Sequence, residues 1–237
     1  LVNLKNEEVL EKYQIAKGSM SLVDSATQSQ ISKSVAGLPY SLSLGGSADN
    51  TIRAMARLGS RVGFIGKVGK DTTGDFFEQA LANLGIKPII FRGDHRSSKC
   101  VALISPDGER TMLTHLGSAA DMHESDIKAE IFEGYDCLYV EGYSVQDHDL
   151  IHNTMSKAKE CGLKVATDLA SFNVVRENRA FLHNLVEKYV DIIFANEEEA
   201  HEFSGLNDVM ESLHYIGKMC ELTIIKTGTK GAIIKRG

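Results

Sequence analysis

The sequence has little cysteine, little proline and no excess of positive charge. Its formal net charge of −6 at pH 7, with scattered Lys and Arg, argues against a nucleic-acid-binding protein, because binding to a phosphate backbone requires clustered basic residues. The cysteines lie far apart and form no CxxC pair, so neither a zinc site nor a disulfide framework is predicted. They are Cys100, Cys137, Cys161 and Cys220. None of the three prolines marks a linker, and we predict one domain over residues 1–237.

Long apolar runs and an amino-terminal leader pattern are also missing, which predicts a cytoplasmic protein with no membrane partner. The sequence contains no GxGxxG, which weakens the interpretation as a dinucleotide-binding oxidoreductase. No glycine precedes the Gly69-Lys70 pair at the spacing of a Walker A motif. His148 and His152 have the spacing of two metal ligands on one helical face, but no third ligand is evident nearby, and an exposed helix start explains them better.

The stretch Leu44 to Asp71 carries the strongest local signal. Gly45 and Gly46 predict a sharp turn or a close approach of the backbone to a ligand, and Asn50 lies at or near the start of an Ala-rich helix. Apolar residues at helical spacing follow, and Gly59 is predicted to end the helix. From these residues alone, a tight turn with an ordinary helix cap is about as good an explanation as a binding site.

The same stretch resembles the first signature of the PfkB family of carbohydrate kinases, the ribokinase-like group, with one departure at Ile52, where the family usually has a small residue. Further short motifs follow in the family's order, and their sequences are similar to those of its adenosine kinase-like branch. They are PDGERTM (106–112), YVEGY (139–143), DLASFNVV (168–175), ANEEE (195–199) and KTGTKG (226–231). The resemblance implies an α/β fold, a ribokinase-like three-layer sandwich with a mostly parallel central sheet and a small β-sheet lid.

The order of apolar and helical patterns agrees with this fold. From Asp136 onward, strand-like runs alternate with helices near 148–161 and 180–189, which predicts parallel strands with crossover helices. TIIKTG and AIIKRG are predicted to pair as a hairpin at one side of the sheet. The segment 86–116 shows three strand-like runs without a helix between them and predicts a small antiparallel sheet. We expect lid strands from about 12–44 and 86–116.

The resemblance also implies a substrate site. The turn and helix start would bind the acceptor through Gly45, Gly46, Ser47 and Asn50, because an amide side chain can donate to one hydroxyl and accept from another. Glu141 follows a strand-like run and would lie near the acceptor, although a solvated loop carboxylate is an equal alternative from the residues alone. Asp168 has the same position after its own strand and the same open alternatives.

For the nucleotide, the resemblance implies that Asn196 and Glu199 organise Mg²⁺ and the phosphates of ATP, with Glu199 acting on the metal through water. An acidic helix start beside the positive end of the helix dipole is the other explanation for these residues. Lys226, Gly228 and Gly231 resemble the nucleotide-contacting turn, and a plain hairpin turn explains them almost as well.

The family's terminal Gly-rich motif, whose last Asp is the catalytic base, does not occur in this sequence. We therefore expect the base beyond Gly237, expect no catalytic residue within the sequence, and interpret the chain as incomplete at both ends. The resemblance implies a first strand that ends in a substrate-binding Asp, and Leu1 and Val2 look like the tail of that strand.

Together these features predict an ATP-dependent kinase that phosphorylates a hydroxyl of a sugar or nucleoside, adenosine-like or ribose-like. A noncatalytic sugar- or nucleoside-binding protein is the alternative. Exposed edges of the lid strands leave a homodimer through the lid open.

Overall fold

The computed structural model describes every residue from Leu1 to Gly237 and forms two compact units, Leu1–Met122 and His123–Gly237. Each unit is described by itself, and one domain over 1–237 stays a prediction. No helix in either unit combines the length and the apolar character that crossing a membrane requires.

The first unit contains six strands and four helices. They are β1 (Val2–Asn3), α1 (Glu8–Lys12), β2 (Met20–Leu22), α2 (Ser25–Ser34), α3 (Ser47–Arg57), β3 (Gly63–Gly69), α4 (Thr72–Asn83), β4 (Lys87–Gly93), β5 (Lys99–Ile104) and β6 (Arg110–His115). One sheet has the order β1-β5-β6-β2, and β3 and β4 form a separate pair. The four-stranded sheet and its helices share a core that includes Leu10, Ile31, Leu103 and Leu113.

The predicted antiparallel sheet over 86–116 is right for β5 and β6 and wrong for β4. β5 and β6 pair antiparallel, whereas β4 pairs parallel with β3, with Gly63 opposite Lys87. The reason is α4, which connects β3 to β4 as the crossover that parallel strands require. Leu81 of this helix packs with Val62 and Ile86, so burial of this apolar cluster holds the strand pair against the helix.

The second unit contains five strands and four helices. They are β7 (Cys137–Glu141), α5 (His148–Glu160), β8 (Lys164–Asp168), α6 (Phe172–Tyr189), β9 (Ile192–Asn196), α7 (Glu197–Ser204), α8 (Val209–Ile216), β10 (Leu222–Lys226) and β11 (Ala232–Arg236). The sheet order is β11-β10-β9-β8-β7; neighbours from β7 to β10 are parallel, and β10 and β11 are antiparallel. The predicted strand-helix alternation and the terminal hairpin are confirmed.

One helix of this unit is longer than its pattern indicated. The predicted helix over 180–189 begins at Phe172, where the side chain of Ser171 accepts a hydrogen bond from the backbone N–H of Val174. The backbone departs from helical geometry at Asn178. The pattern of apolar residues predicted only the part of the helix after this kink, so its first two turns were missed. The α/β class with mostly parallel strands is as predicted.

Candidate functional site

The carboxyl ends of the parallel strands in the second unit carry polar side chains. Glu141, Asp168, Asn196 and Lys226 are the last residues of β7, β8, β9 and β10. The register pairs Glu141 with Asp168 and Lys226 with Asn196, so the four residues end neighbouring strands at one edge of the sheet. This edge is where open α/β sheets bind their ligands.

Asn196 and Glu199 form a reciprocal cap at the start of α7. The backbone N–H of Glu199 donates to Oδ1 of Asn196 (2.8 Å), and Glu199 accepts from the backbone N–H of Asn196 at Oε2 (2.7 Å) and from its Nδ2 at Oε1 (2.8 Å). Glu199 is only 2% exposed. Burial raises the pKa of Glu199 above its ordinary value, and the hydrogen bond from Asn196 only partly offsets this.

This geometry narrows the predicted magnesium role of Glu199. Both of its oxygens accept hydrogen bonds from Asn196 and the residue is almost completely buried, which agrees with a metal contact through an intervening water. No group of three or more His, Cys, Asp or Glu side chains within Leu1–Gly237 is arranged to hold a metal ion. The capping explanation of Asn196 and Glu199 is thus realised in the structure, and their metal role stays a prediction.

Asp168 and Lys226 link the ends of β8 and β10. Lys226 Nζ lies 2.7 Å from Asp168 Oδ2, while Asp168 Oδ1 accepts from the backbone N–H of Ala170 at 2.9 Å. Ala170 has a φ of 68°, an unfavourable left-handed conformation for a residue with a Cβ, and Asp168 holds this turn. The pair places an ammonium group at the polar edge, and a role of Asp168 in ligand binding stays a prediction.

The turn after Lys226 is open to a ligand. Gly228 and Gly231 have φ values of 59° and 96°, and a Cβ built on either would meet nothing within 4 Å. The backbone N–H of Thr227 donates to the carbonyl of Gly231 (2.8 Å) and closes the hairpin. The predicted hairpin turn is therefore present, and its contact with a nucleotide stays a prediction.

In the first unit, the Gly45-Gly46 turn leads directly into α3. Gly46 is the N-cap with a φ of 107°, a conformation that favours glycine, and it supplies no capping side chain. The helix begins at Ser47, so Asn50 lies one turn inside it, and its backbone N–H donates to the carbonyl of Gly46 (3.0 Å). The prediction that Asn50 lies at or near the start of the helix is confirmed, although Gly46 is the cap and the side chain of Asn50 is exposed.

Two neighbours of Asn50 were missed in the sequence. Asp49 is fully buried at 0% exposure, and Arg53 Nε lies 2.8 Å from its Oδ2. Arg53 also donates from Nη2 to Oδ1 of Asn50. Burial raises the pKa of Asp49, and the charge of Arg53 opposes this shift. The i,i+4 spacing of an acid and an arginine was the signal in the sequence.

A cleft of about 680 Å³ also lies in the first unit. Its charged and titratable lining residues are Asp94, His95, Arg96, His115 and Asp121. His95 Nδ1 lies 2.6 Å from Asp121 Oδ2, and this hydrogen bond raises the pKa of the exposed imidazole. Sequence reasoning missed this cleft because its walls come from segments that are distant along the chain.

The HxxxH pair of α5 is not arranged as a metal site. The ring of His148 stacks on Phe181 with a centroid distance of 3.7 Å, and Nε2 of His152 shares a hydrogen bond with the hydroxyl of Tyr189 (2.9 Å). Each imidazole is therefore held by an aromatic neighbour from α6.

Comparisons with known proteins agree with this architecture. A family model described as pfkB family carbohydrate kinase matches residues 20–237. Among curated relatives, aminoimidazole riboside kinase of Salmonella typhimurium is 27% identical over 201 residues, which are 80% of this chain and 62% of that protein. The 5-dehydro-2-deoxygluconokinase of Bacillus subtilis is 24% identical over 211 residues, covering 82% of this chain and 64% of the relative. The chain thus spans less than two thirds of the length of these relatives.

Solved structures give the same result. An adenosine kinase from Sinorhizobium meliloti superposes with a TM-score of 0.83 at 26% identity, over 100% of this chain and 74% of that one. A probable sugar kinase from Rhizobium etli gives a TM-score of 0.85 at 26% identity, over 100% and 72%. These matches confirm the ribokinase-like fold expected from the motifs. The chain belongs to the PfkB family of carbohydrate kinases.

Proposed function

We propose that the protein is an ATP-dependent kinase that phosphorylates a hydroxyl of a sugar or nucleoside. The observation that carries this proposal is the row of Asp168, Asn196 and Lys226 at the carboxyl edge of a parallel sheet, in a chain of the PfkB family. Phosphoryl transfer depends mainly on alignment and neutralisation of charge, and this row supplies an ammonium group and hard oxygen donors for both tasks.

ATP binding is assigned to Asn196, Lys226 and the turn formed by Gly228 and Gly231. The exposed ammonium of Lys226 suits phosphate oxygens, and the open glycine backbone allows a close approach. Mg²⁺ would neutralise the phosphates, and Glu199 would act on it through water, because the carboxylate is buried and each oxygen already accepts a hydrogen bond. No catalytic base is assigned to a residue of this chain.

Acceptor binding is assigned to Gly45, Gly46, Ser47 and Asn50 in the first unit, and Glu141 at the end of β7 stays a predicted acceptor-binding residue. The exposed amide of Asn50 and the backbone of the glycine turn can bind sugar hydroxyls directly. Relatives named as riboside kinase, deoxygluconokinase and adenosine kinase support both nucleosides and sugars as candidates. Arg96 and His115 line the cleft of the first unit, and their positive or titratable side chains are a reason to include sugar acids among the acceptors tested.

The test is ADP release with MgATP and a panel of nucleosides, neutral sugars and sugar acids, followed by identification of the phosphorylated product. We expect turnover with at least one acceptor and a marked rise in its KM in Asn50→Ala. Asn83→Ala is the matched control, because Asn83 is also an exposed helical asparagine that accepts a hydrogen bond from a neighbour on its own helix, Gln79. Equal kinetics of Asn50→Ala and wild type for every accepted substrate would refute the assignment. Binding of an acceptor without turnover would favour the noncatalytic alternative.

Compartment and assembly belong to the same proposal. All four cysteines are free thiols, which supports the cytoplasm as the compartment. β2 ends its sheet and exposes Met20 and Leu22, which supports a homodimer through the lid strands. Sedimentation of the purified protein would test the dimer.

A further inference from the structure

The amide of Asn50 is held by a neighbour in one orientation. Its Oδ1 accepts a hydrogen bond from Nη2 of Arg53, one turn further along α3. The NH₂ end of the same amide donates to no protein group, and the residue is exposed. An unrestrained asparagine presents its oxygen and its NH₂ group interchangeably by rotation, whereas this one directs its two donor hydrogens outwards.

Arg53 is itself held by an acid one turn earlier in α3. Its Nε forms an ion pair with Oδ2 of Asp49 at 2.8 Å, and the Asp49 carboxylate is completely buried without a hydrogen-bond partner. The guanidinium is planar and carries five N–H donors in a fixed fork, so one group can face Asp49 with Nε and Asn50 with Nη2 simultaneously. A lysine could neutralise Asp49 but could not reproduce this fork.

Stability alone does not require this arrangement. A buried acid paired with an arginine contributes less stability than apolar residues of similar volume, because both charges lose their hydration. Here the arginine is partly exposed, with 24% of its side-chain area accessible, and its Nη2 donates to the amide proposed to bind the acceptor. Buried charges of this kind are retained in some proteins for specificity.

We propose that Arg53, anchored by Asp49, is a positioning residue that fixes the Asn50 amide with its NH₂ group towards the acceptor. This inference rests on the proposed kinase function. The acceptor atom facing Asn50 is then a hydrogen-bond acceptor, the oxygen of a sugar hydroxyl whose own proton is donated elsewhere. An acceptor lacking that hydroxyl leaves the oriented NH₂ group without a partner and is selected against.

The test compares steady-state kinetics of wild type, Arg53→Lys and the control Arg57→Lys, which changes an exposed arginine at the end of the same helix. Arg53→Lys retains a positive charge beside Asp49 and removes the fork. We expect the KM for the acceptor to rise about tenfold, the size of one well-placed hydrogen bond. The KM for ATP and the melting temperature should remain those of Arg57→Lys. An unchanged acceptor KM in Arg53→Lys overturns the proposal, and so does a parallel rise in both KM values with a loss of stability.

A double variant shows whether Arg53 acts through Asn50. In the Asn50→Ala background, Arg53→Lys should raise the acceptor KM no further, because the amide that it orients is gone. A second, additive rise would mean that Arg53 meets the acceptor itself, which overturns the positioning role. Wild type that phosphorylates no acceptor of the panel overturns the proposed function and this inference with it. Wild-type turnover with an unaffected Arg53→Lys variant overturns this inference alone.

Discussion

The helices α3 and α7 each have a buried acid at the same position near their start, but the two acids have different partners. Asp49 and Glu199 are each the third residue of their helix, and they are 0% and 2% exposed. Burial raises the pKa of both. Glu199 receives two hydrogen bonds from Asn196 and completes a cap. Asp49 follows a glycine cap without a side chain and is balanced by Arg53.

The difference shows how one local pattern serves two purposes. The α7 acid forms a closed pair with its own cap, which fixes the helix start at the end of β9. In α3, Asp49 forms an ion pair with Arg53, and Arg53 in turn donates a hydrogen bond to the exposed Asn50. The first arrangement makes a rigid support, and the second makes an oriented hydrogen-bond donor.

The largest expected effect is that of Arg53→Ala, which breaks the α3 arrangement. It leaves the buried Asp49 carboxylate without its counter-charge and should lower the free energy of unfolding by about 3 kcal/mol, the lower end for buried pairs because Arg53 is partly exposed. Urea denaturation measures this change, with Arg57→Ala as the control. A loss equal to that of Arg57→Ala would mean that Arg53 does not balance Asp49.

A smaller loss is expected from Asn196→Ala, which breaks the α7 arrangement. The substitution removes the cap acceptor for Glu199 N–H and the Nδ2 donor to its carboxylate, at a cost of about 2 kcal/mol. Asn207→Ala, an exposed asparagine between α7 and α8, is the control. If both variants unfold at the same urea concentration, the cap contributes nothing to stability.

Asp49 and Glu199 should change the free energy of unfolding with pH in the same direction. An acid whose pKa is raised by folding contributes stability that is complete below its ordinary pKa of about 4 and is lost as pH rises through the folded value. Relative to wild type, Asp49→Asn and Glu199→Gln should therefore gain free energy of unfolding as pH rises above about 4.

Asp191→Asn is the control, because folding lowers the pKa of Asp191 and its effect on stability should change with pH in the opposite direction. Burial alone would raise the pKa of Asp191, but hydrogen bonds from Lys159 and the backbone of Val165 outweigh it and lower the pKa. This variant should lose stability relative to wild type as pH rises through the acidic range. Denaturation at a series of pH values measures all three, and parallel curves would contradict the account.

The smallest effect on stability is expected from Lys226→Met. The ammonium is half exposed, so its pair with Asp168 contributes about 0.5 kcal/mol or less. Removing its charge should nevertheless raise the pKa of Glu199 further and weaken the binding of MgADP. Calorimetric titration with MgADP measures the affinity, with Lys230→Met in the same turn as the control. Equal affinities would remove Lys226 from the nucleotide site.

Local patterns predicted much of this molecule. The strand-helix alternation after Asp136, the terminal hairpin and the glycine end of α3 depend on neighbouring residues, and all three are present. The pairing of β4 with β3 depends on a choice between distant strands, which periodicity does not encode. Asn196 and Glu199 were predicted from the sequence because a helix start and a family motif coincide there, and the cap that they form is present. Asp49 and Arg53 were missed because burial of an acid at a helix start is a tertiary property.

The central claim assigns the acceptor to Asn50 and the nucleotide to the edge beside Asn196. Two-dimensional proton–nitrogen NMR spectra of the side-chain amides test it most directly, with the two resonance pairs assigned from Asn50→Ala and Asn196→Ala. Titration with an accepted sugar or nucleoside should shift the Asn50 amide, and titration with MgADP should shift the Asn196 amide. An acceptor that binds and leaves the Asn50 resonances in place would contradict the account.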